Sequence, residues 1–459
     1  MLQHILHPVS TAAGHTRRQL WVAASSADTC LAAAASQCTK TIAAAVRQKA
    51  RDAASPATCF ALVSQTYSAA EIDRLSASLT QQLAHATGQH CSISGTIVDQ
   101  IIGSRGTAAG LSLLFHRPER GQSNHPFYIG DQHGRQRLRE VAVGRWHTAA
   151  TDRFKTQQAA TTTWQPGSSS VTRAASHLEL PPELQAINDP SAVHLVLFAA
   201  DKETRQVLDA LDARFPRAAK LGIVGAQTPF VNGREFTLLT SSNGGNAIYE
   251  SGVVGVAFSD ATGDRELVPQ VTYRGLVPVS DVLRIERCKG NVVLELEHGD
   301  RAHSLIAALR RPPTETGSAT DTDGRLFARV LRTRDAHAAL VFQVTGGNPA
   351  KGGLALDTLR DLSPGSFVQF MMLSRHQPEP QPSARASGTQ PQIHFGVAGG
   401  CRIACPRAGA QVVGAATEGG FCYGGPMPVD SPTVSDCGSV FSGSTECAVP
   451  GSTVILTLE

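Results

Sequence analysis

Leu195-Val196-Leu197-Phe198-Ala199, then Val207, Leu208, Leu211 and Phe215, then Gly222-Ile223-Val224-Gly225-Ala226, form the stretch that sets the fold class. The first five residues are a short apolar run suited to a buried strand. The next four fall at helical spacing on one face. The last five make a second strand, and Gly252-Val253-Val254-Gly255-Val256-Ala257-Phe258 a third. A strand–helix–strand unit of this length implies a right-handed crossover and a parallel pair.

The same order occurs upstream. Cys59-Phe60-Ala61-Leu62-Val63 is an apolar run, followed by a polar turn at 64–68. Ile72, Leu75, Leu79 and Leu83 share a helical face, and Ser92-Ile93-Ser94-Gly95-Thr96 and Gly110-Leu111-Ser112-Leu113-Leu114-Phe115 follow as strands. Residues 59–115 and 195–258 are therefore expected to be two copies of one unit. Further strands are expected at Val292–Glu297, Ala339–Val344 and Phe367–Leu373. A weaker version of the unit closes the chain, with Ile393–Val397, Gly419–Tyr423 and Val454–Leu458. Alternating strands and helices predict an α/β or α+β protein with mixed sheets.

Three polar segments, 148–178, 311–324 and 376–391, read as linkers or insertions, because they hold too little apolar surface to order themselves. Residues 1–27 carry no Asp or Glu and include Arg17 and Arg18. This suits a flexible N-terminus, or a weak mitochondrial transit peptide.

The 459 residues suffice for about three domains. Lys and Arg total 41 against 38 Asp and Glu, a net charge of +3. So small a surplus argues against a dedicated nucleic-acid binder. No run reaches the roughly 18 apolar residues of a membrane helix, so a soluble protein is expected, in the cytoplasm or alternatively in the mitochondrial matrix. Ten unevenly spaced cysteines suggest reduced thiols rather than a disulfide framework.

Several motifs touch on chemistry. Gly420-Phe421-Cys422-Tyr423-Gly424 has the form of a nucleophile elbow with Cys in place of Ser. Pro426 and Pro428 oppose the helix an elbow needs, and no histidine follows His394 to act as base. Cys401-x3-Cys405 with Cys422, Cys437 and Cys447 contains one pair rather than the two knuckles of a zinc site. Gly347–Gly353 lacks the Gly-Lys-Ser/Thr end of a phosphate loop, and Gly103–Gly110 lacks the dinucleotide spacing. The run His116–His147 holds six arginines with Phe127, Tyr128 and Trp146, and reads as a solvated hairpin arm rather than an RNA surface. No metal, cofactor or catalytic residue is expected. The strand ends Ser94-Gly95-Thr96 and Gly225-Ala226 leave room beside the backbone, where ligands of open α/β sheets bind. Thr96, Thr228 and Asn232 stand ready there for a carboxylate or amide.

The chain resembles the FIST domain family over about residues 20–459. The resemblance rests on GLSLLF (110–115), VAVGRWH (141–147), LGIVGAQTPFVNGREFTLL (221–239), IYESGVVGVAF (248–258), LRIERCKGNVVLELEHGDRAHSLI (283–306), SPGSFVQFMM (363–372) and GGFCYGGPMPV (419–429). It implies a FIST N-terminal-type region over 28–310 and a smaller C-terminal-type region over 325–459. It also implies a sensory protein that binds a small ligand, with amino acids proposed. Residues 1–58 are Ala-rich and do not read as an F-box; one branch of the family carries such a fusion and presents proteins for ubiquitin ligation, so an interaction scaffold with a protein partner is the alternative, and an uncharacterised enzyme a further one. The family's Gly-Glu pair at the C-terminal turn is replaced by Gly424-Gly425-Pro426, and Arg402 or Arg407 takes the place of its arginine. Arg402, Cys422 and Gly424 are the ligand candidates the resemblance adds.

Overall fold

The computed structural model describes residues 20–48, 56–103, 106–135, 178–242, 245–261, 266–297, 322–334, 339–348, 353–358, 360–374, 390–398, 411–426 and 443–458. The insertions at 148–177, 311–321 and 376–389 lie outside them. The first unit opens with strand β1 (Leu20–Ser26) and helix α1 (Leu31–Gln48). β2 (Ala57–Ser64), α2 (Ala69–Thr87) and β3 (Cys91–Val98) follow, then the hairpin β4 (Gln100–Gly103) and β5 (Gly106–Ala108), and β6 (Leu111–Arg117). β2 and β3 pair in parallel, β6 returns antiparallel to β2, and β1 lies antiparallel to β6. Helix α2 starts where Glu71 accepts hydrogen bonds from the Ser68 amide and hydroxyl, 3.0 and 2.6 Å. It stops at Gly88, whose φ of 70° suits glycine.

The second unit repeats this plan. β7 (Gln122–Ile129) is the edge strand; β8 (Val193–Ala200), the helix Arg205–Arg214 and β9 (Ala219–Val224) form the crossover. The hairpin is β10 (Leu238–Ser242) and β11 (Gly245–Tyr249), and β12 (Val253–Asp260) returns. β8 pairs parallel to β9, β12 antiparallel to β8, and β7 antiparallel to β12. The two copies read from the sequence are therefore real.

The weak third version proves to have the same strand order. β13 (Gln270–Tyr273) is its edge strand, and between β13 and the next core strand lie β14 (Leu276–Pro278), β15 (Leu283–Lys289), β16 (Val292–Leu296), β17 (Thr322–Leu331), β18 (Ala339–Asn348), β19 (Gly353–Leu356) and β20 (Phe367–Ser374). These seven form one sheet, which the β20–β17 pairing closes into a barrel around Ile285, Leu296, Val330, Val368 and Phe370. The segment 311–324 thus interrupts one barrel, since strands on either side of it share that sheet. The unit resumes with β21 (Gln392–Val397) parallel to β22 (Val412–Thr417), the hairpin β23 (Phe421–Gly424) and β24 (Thr445–Cys447), and β25 (Ser452–Thr457) antiparallel to β21.

Each unit gives its hairpin to another. β4 pairs with β22, β10 with β3, and β23 with β9. The three sheets share one core: Phe60 and Leu62 from β2, Leu195 and Leu197 from β8, and Ile393 and Phe395 from β21 lie in a single cluster. The alternate residues face outward. Cys59, Ala61 and Val63 lie under α1 and α2, and Val196 and Phe198 lie among Val207, Leu208 and Leu211 of the helix. Coverage on both faces is why these strands read as unbroken apolar runs.

One expectation needs correction. Residues 20–26, grouped with a flexible tail, form β1. Its Trp21 ring sits 4.1 Å from the His116 ring and 4.8 Å from Phe258. The absence of acids says nothing against a strand whose alternating Trp21 and Val22 both find apolar cover.

Candidate functional site

The sequence-derived candidates come together in part. Thr96, Thr228 and Asn232 surround Thr237. Thr96 Oγ1 donates to the Thr237 carbonyl at 3.1 Å, the Thr228 and Thr237 hydroxyls lie 2.8 Å apart, and Asn232 Nδ2 donates to Thr237 Oγ1 at 2.8 Å. Thr228 Oγ1 also reaches the Arg234 carbonyl at 3.1 Å, and the Arg234 amide reaches Asn232 Oδ1 at 3.2 Å. The polar atoms satisfy one another and tie the β9–β10 connection to β3. Ser94 Oγ, on β3, donates to the Gly255 carbonyl at 3.3 Å. Gly95 packs directly on β2: a Cβ there would lie 2.0 Å from the Ala61 carbonyl oxygen. The Gly225 amide donates to the Ala200 carbonyl at 2.8 Å. Arg402, like Cys401, Cys405 and Cys437, lies outside the described residues.

Gly225 needs space rather than an unusual backbone, because it is not among the positive-φ glycines. A Cβ there would sit 2.5 Å from Thr96 Oγ1. Gly225→Val is expected to lower stability by on the order of 1–3 kcal/mol, read by denaturant unfolding. An unchanged midpoint would contradict the tight contact.

Cys422 and Gly424 belong to a different place. Both lie on β23 against β9, beside a buried polar network. Lys220 Nζ is 3.1 Å from Asp212 Oδ1 and donates to the Phe215 carbonyl at 2.6 Å. Asp212 accepts from the Ser444 amide and hydroxyl at 2.5 and 2.7 Å. Arg360, from the barrel, donates to the Ser444 carbonyl, and Thr204 donates to Glu446. Cys422 Sγ donates to Thr204 Oγ1 at 3.4 Å, and burial, then the Glu446 charge, push its thiol pKa well above the ordinary value. A thiol held protonated is a poor nucleophile.

The C-terminal end of β8 carries the cluster that sequence reasoning missed. Arg135, only 5% exposed, follows the single turn Asp131–His133 after β7. Its Nη2 donates to Asp201 Oδ2 and lies 3.9 Å from Glu203 Oε2. Its Nε and Nη1 are buried without a hydrogen-bond partner. Asp201 is fixed from both sides: Oδ2 accepts the Gly252 amide at 2.8 Å and Oδ1 the Glu203 amide at 3.0 Å. Gly252 has φ 113°, and a Cβ there would lie 2.6 Å from the Ile129 carbonyl oxygen, so only glycine brings its amide to Asp201. Tyr128 forms the neighbouring wall, stacked on Tyr249 with centroids 3.6 Å apart and its hydroxyl donating to the Ser251 carbonyl at 3.1 Å. Burial, then Tyr249 and Asp131, push its phenol pKa up, while Arg135 opposes them. The signal in the sequence was an acid directly after an apolar strand, Ala199-Ala200-Asp201. Arg135 itself was hidden in the basic run.

Among the described residues no group of three or more His, Cys, Asp or Glu could hold a metal. None of the helices described is long and apolar enough to cross a membrane. No curated protein matches the chain. The FIST N domain matches residues 57–299, from β2 past the barrel's strand β16, and so takes in the parallel pairs of the first two units and their hairpins. With more than half of its length inside that match, the chain belongs to the FIST family, which is associated with sensing and small-ligand binding.

Proposed function

We propose that the protein is a non-catalytic sensor that binds a small metabolite, an amino acid or a compound of similar chemistry, at the C-terminal ends of β8 and β9. The observation that carries this is Arg135: a buried guanidinium with two nitrogens left open at the end of a parallel strand. Unsatisfied buried donors are costly, and a ligand that accepts from them removes the cost. Asp201, locked by two backbone amides, fixes the guanidinium so that little ordering is left for binding. Strand ends of open α/β sheets are the usual place for such a ligand. The C-terminal part, with its own parallel pair and barrel, completes a FIST-type architecture in this reading, and a cytoplasmic or mitochondrial-matrix location goes with it.

Buried Cys422 supports the non-catalytic half of the proposal. Cys422→Ser is expected to keep the fold, at a cost of about 1–2 kcal/mol, and to leave ligand binding within a few-fold. Covalent trapping of an acyl donor at Cys422, lost in the Ser variant, would overturn it. The ligand half is tested by a thermal-shift screen of amino acids and small metabolites, because a ligand of the native state raises its stability. A hit whose shift vanishes in Arg135→Lys supports the proposal, and a hit indifferent to that change refutes the site.

A further inference from the structure

Resting on Arg135 as the ligand anchor, we infer that the barrel governs the ligand site: Arg360 is a positioning residue that, through Ser444 and Glu446 of the third unit's hairpin, holds the turn carrying Asp201, so that barrel docking and binding at Arg135 are coupled. Arg360 lies between barrel strands β19 and β20, yet only 4% of it is exposed. Its Nη2 donates to the Ser444 carbonyl, just ahead of β24. Ser444 in turn gives its amide and hydroxyl to Asp212, in the helix Arg205–Arg214. Glu446, on β24, accepts from Thr204, directly before that helix. The hairpin therefore grips the helix at Thr204 and at Asp212, about 12 Å apart along its axis. Burial, then the Arg205 charge, lower the Arg360 pKa to about 10 against the pull of Asp209, Asp212 and Glu446, so it is a cation at neutral pH.

Gly443 shows how closely the three parts meet. Its φ is 71°, and a Cβ there would lie 2.4 Å from Asp212 Oδ2 and 3.4 Å from Arg360 Nη2. The grip at Thr204 adjoins the ligand site along the chain. Asp201 accepts the Glu203 and Gly252 amides and holds the Arg135 guanidinium. A shift of Thr204 thus reaches Arg135 through bonds already in place. Two states follow. In the docked state Arg360 stands beside Ser444 and the acids; in the undocked state Asp212 and Glu446 lose its charge in the interior, which is costly. The coupling is reciprocal. A ligand that fixes Arg135 and Asp201 favours docking, and undocking weakens the hold on the ligand, so the barrel is the part that reports occupancy.

Hydrogen exchange of the full chain, without ligand, tests the coupling. Arg360→Met keeps much of the side-chain volume and removes the charge. It is expected to speed exchange in residues 201–205 and 252–253 by on the order of tenfold, with residues 59–63 of the first unit unchanged. Arg135→Lys is expected to act in the other direction and speed exchange in residues 360–362 and 443–447. Glu446→Gln interrupts the same path, so combining it with Arg360→Met should add nothing at 201–205 beyond the larger single effect. Should Arg360→Met not fold, Glu446→Gln alone must speed both 201–205 and 360–362, or the inference falls. Exchange at 201–205 that Arg360→Met leaves unmoved, a rise spread evenly over all strands, or effects that multiply in the double variant overturn the inference and leave Arg135 as an anchor. A ligand screen without an Arg135-dependent hit overturns the site, while the exchange result stands.

Discussion

Lys220→Ala is expected to lower folding stability by about 3–5 kcal/mol, the usual result of removing one partner of a buried ion pair. Lys220 is fully buried on β9, and its ammonium meets the Asp212 carboxylate and the Phe215 carbonyl. Burial pushes its pKa down, and the Asp212 carboxylate pulls it back up. Alanine leaves Asp212 with the Ser444 donors and the more distant Arg360 charge but without its direct ion-pair partner, and opens a space where Gly424 pairs with Lys220 across β23 and β9. Lys220→Met keeps the volume and should cost nearly as much. Combining it with Asp212→Asn should recover part of the loss, because the two sites are coupled. Denaturant unfolding reads all three. A loss below about 1 kcal/mol for Lys220→Ala would mean that the pair does not hold the hairpin to the helix.

Acid should weaken the protein through His394. This residue lies buried on β21, its Nε2 is without a hydrogen-bond partner, and burial first, then the Arg274 charge, lower its pKa from 6.5 to about 4. Above pH 6.5 the imidazole is neutral in both the folded and the unfolded chain. Below it the unfolded chain takes up a proton that the folded chain refuses until about pH 4. Stability is therefore lost as pH falls through that window, by about 3 kcal/mol in full. Asp99, Asp357 and Glu446 have raised pKa values, chiefly through burial, and act in the opposite sense. The difference between the unaltered chain and His394→Leu isolates the histidine. That difference should shrink from pH 7 to pH 4 as the unaltered chain loses its advantage, and a constant difference would refute the buried, neutral imidazole.

Much of the fold was legible because β2 and β8 are covered on both faces and so are built mostly from apolar residues. The third unit was faint for a physical reason: β21 and β22 are six residues each, and His394 and Gly414 break their apolar runs. The exchange of hairpins left no local pattern at all. Gln100–Gly103 looks the same whether it pairs with its own unit or with β22. Helix α1 was missed because Leu31, Cys38, Ile42 and Val46 on its buried face are diluted by Ala34, Ala35, Thr39 and Ala43, and alanines fill its exposed positions too. The site divides in the same way. Thr96, Thr228 and Asn232 were found as neighbours, yet composition cannot tell polar groups that await a ligand from groups that satisfy each other. Arg135 and Asp201 are 66 positions apart, and only the β7–β12–β8 pairing brings them together.

The central claim is that a small ligand binds at Arg135 rather than at the threonine cluster. Hydrogen exchange of the full chain, with and without the metabolite giving the largest thermal shift, tests it most directly, since exchange reports local opening segment by segment. Protection concentrated in residues 127–135, 200–205 and 249–253 is the predicted result. Protection centred on residues 94–98 and 226–237, with the Arg135 segments unchanged, would contradict it.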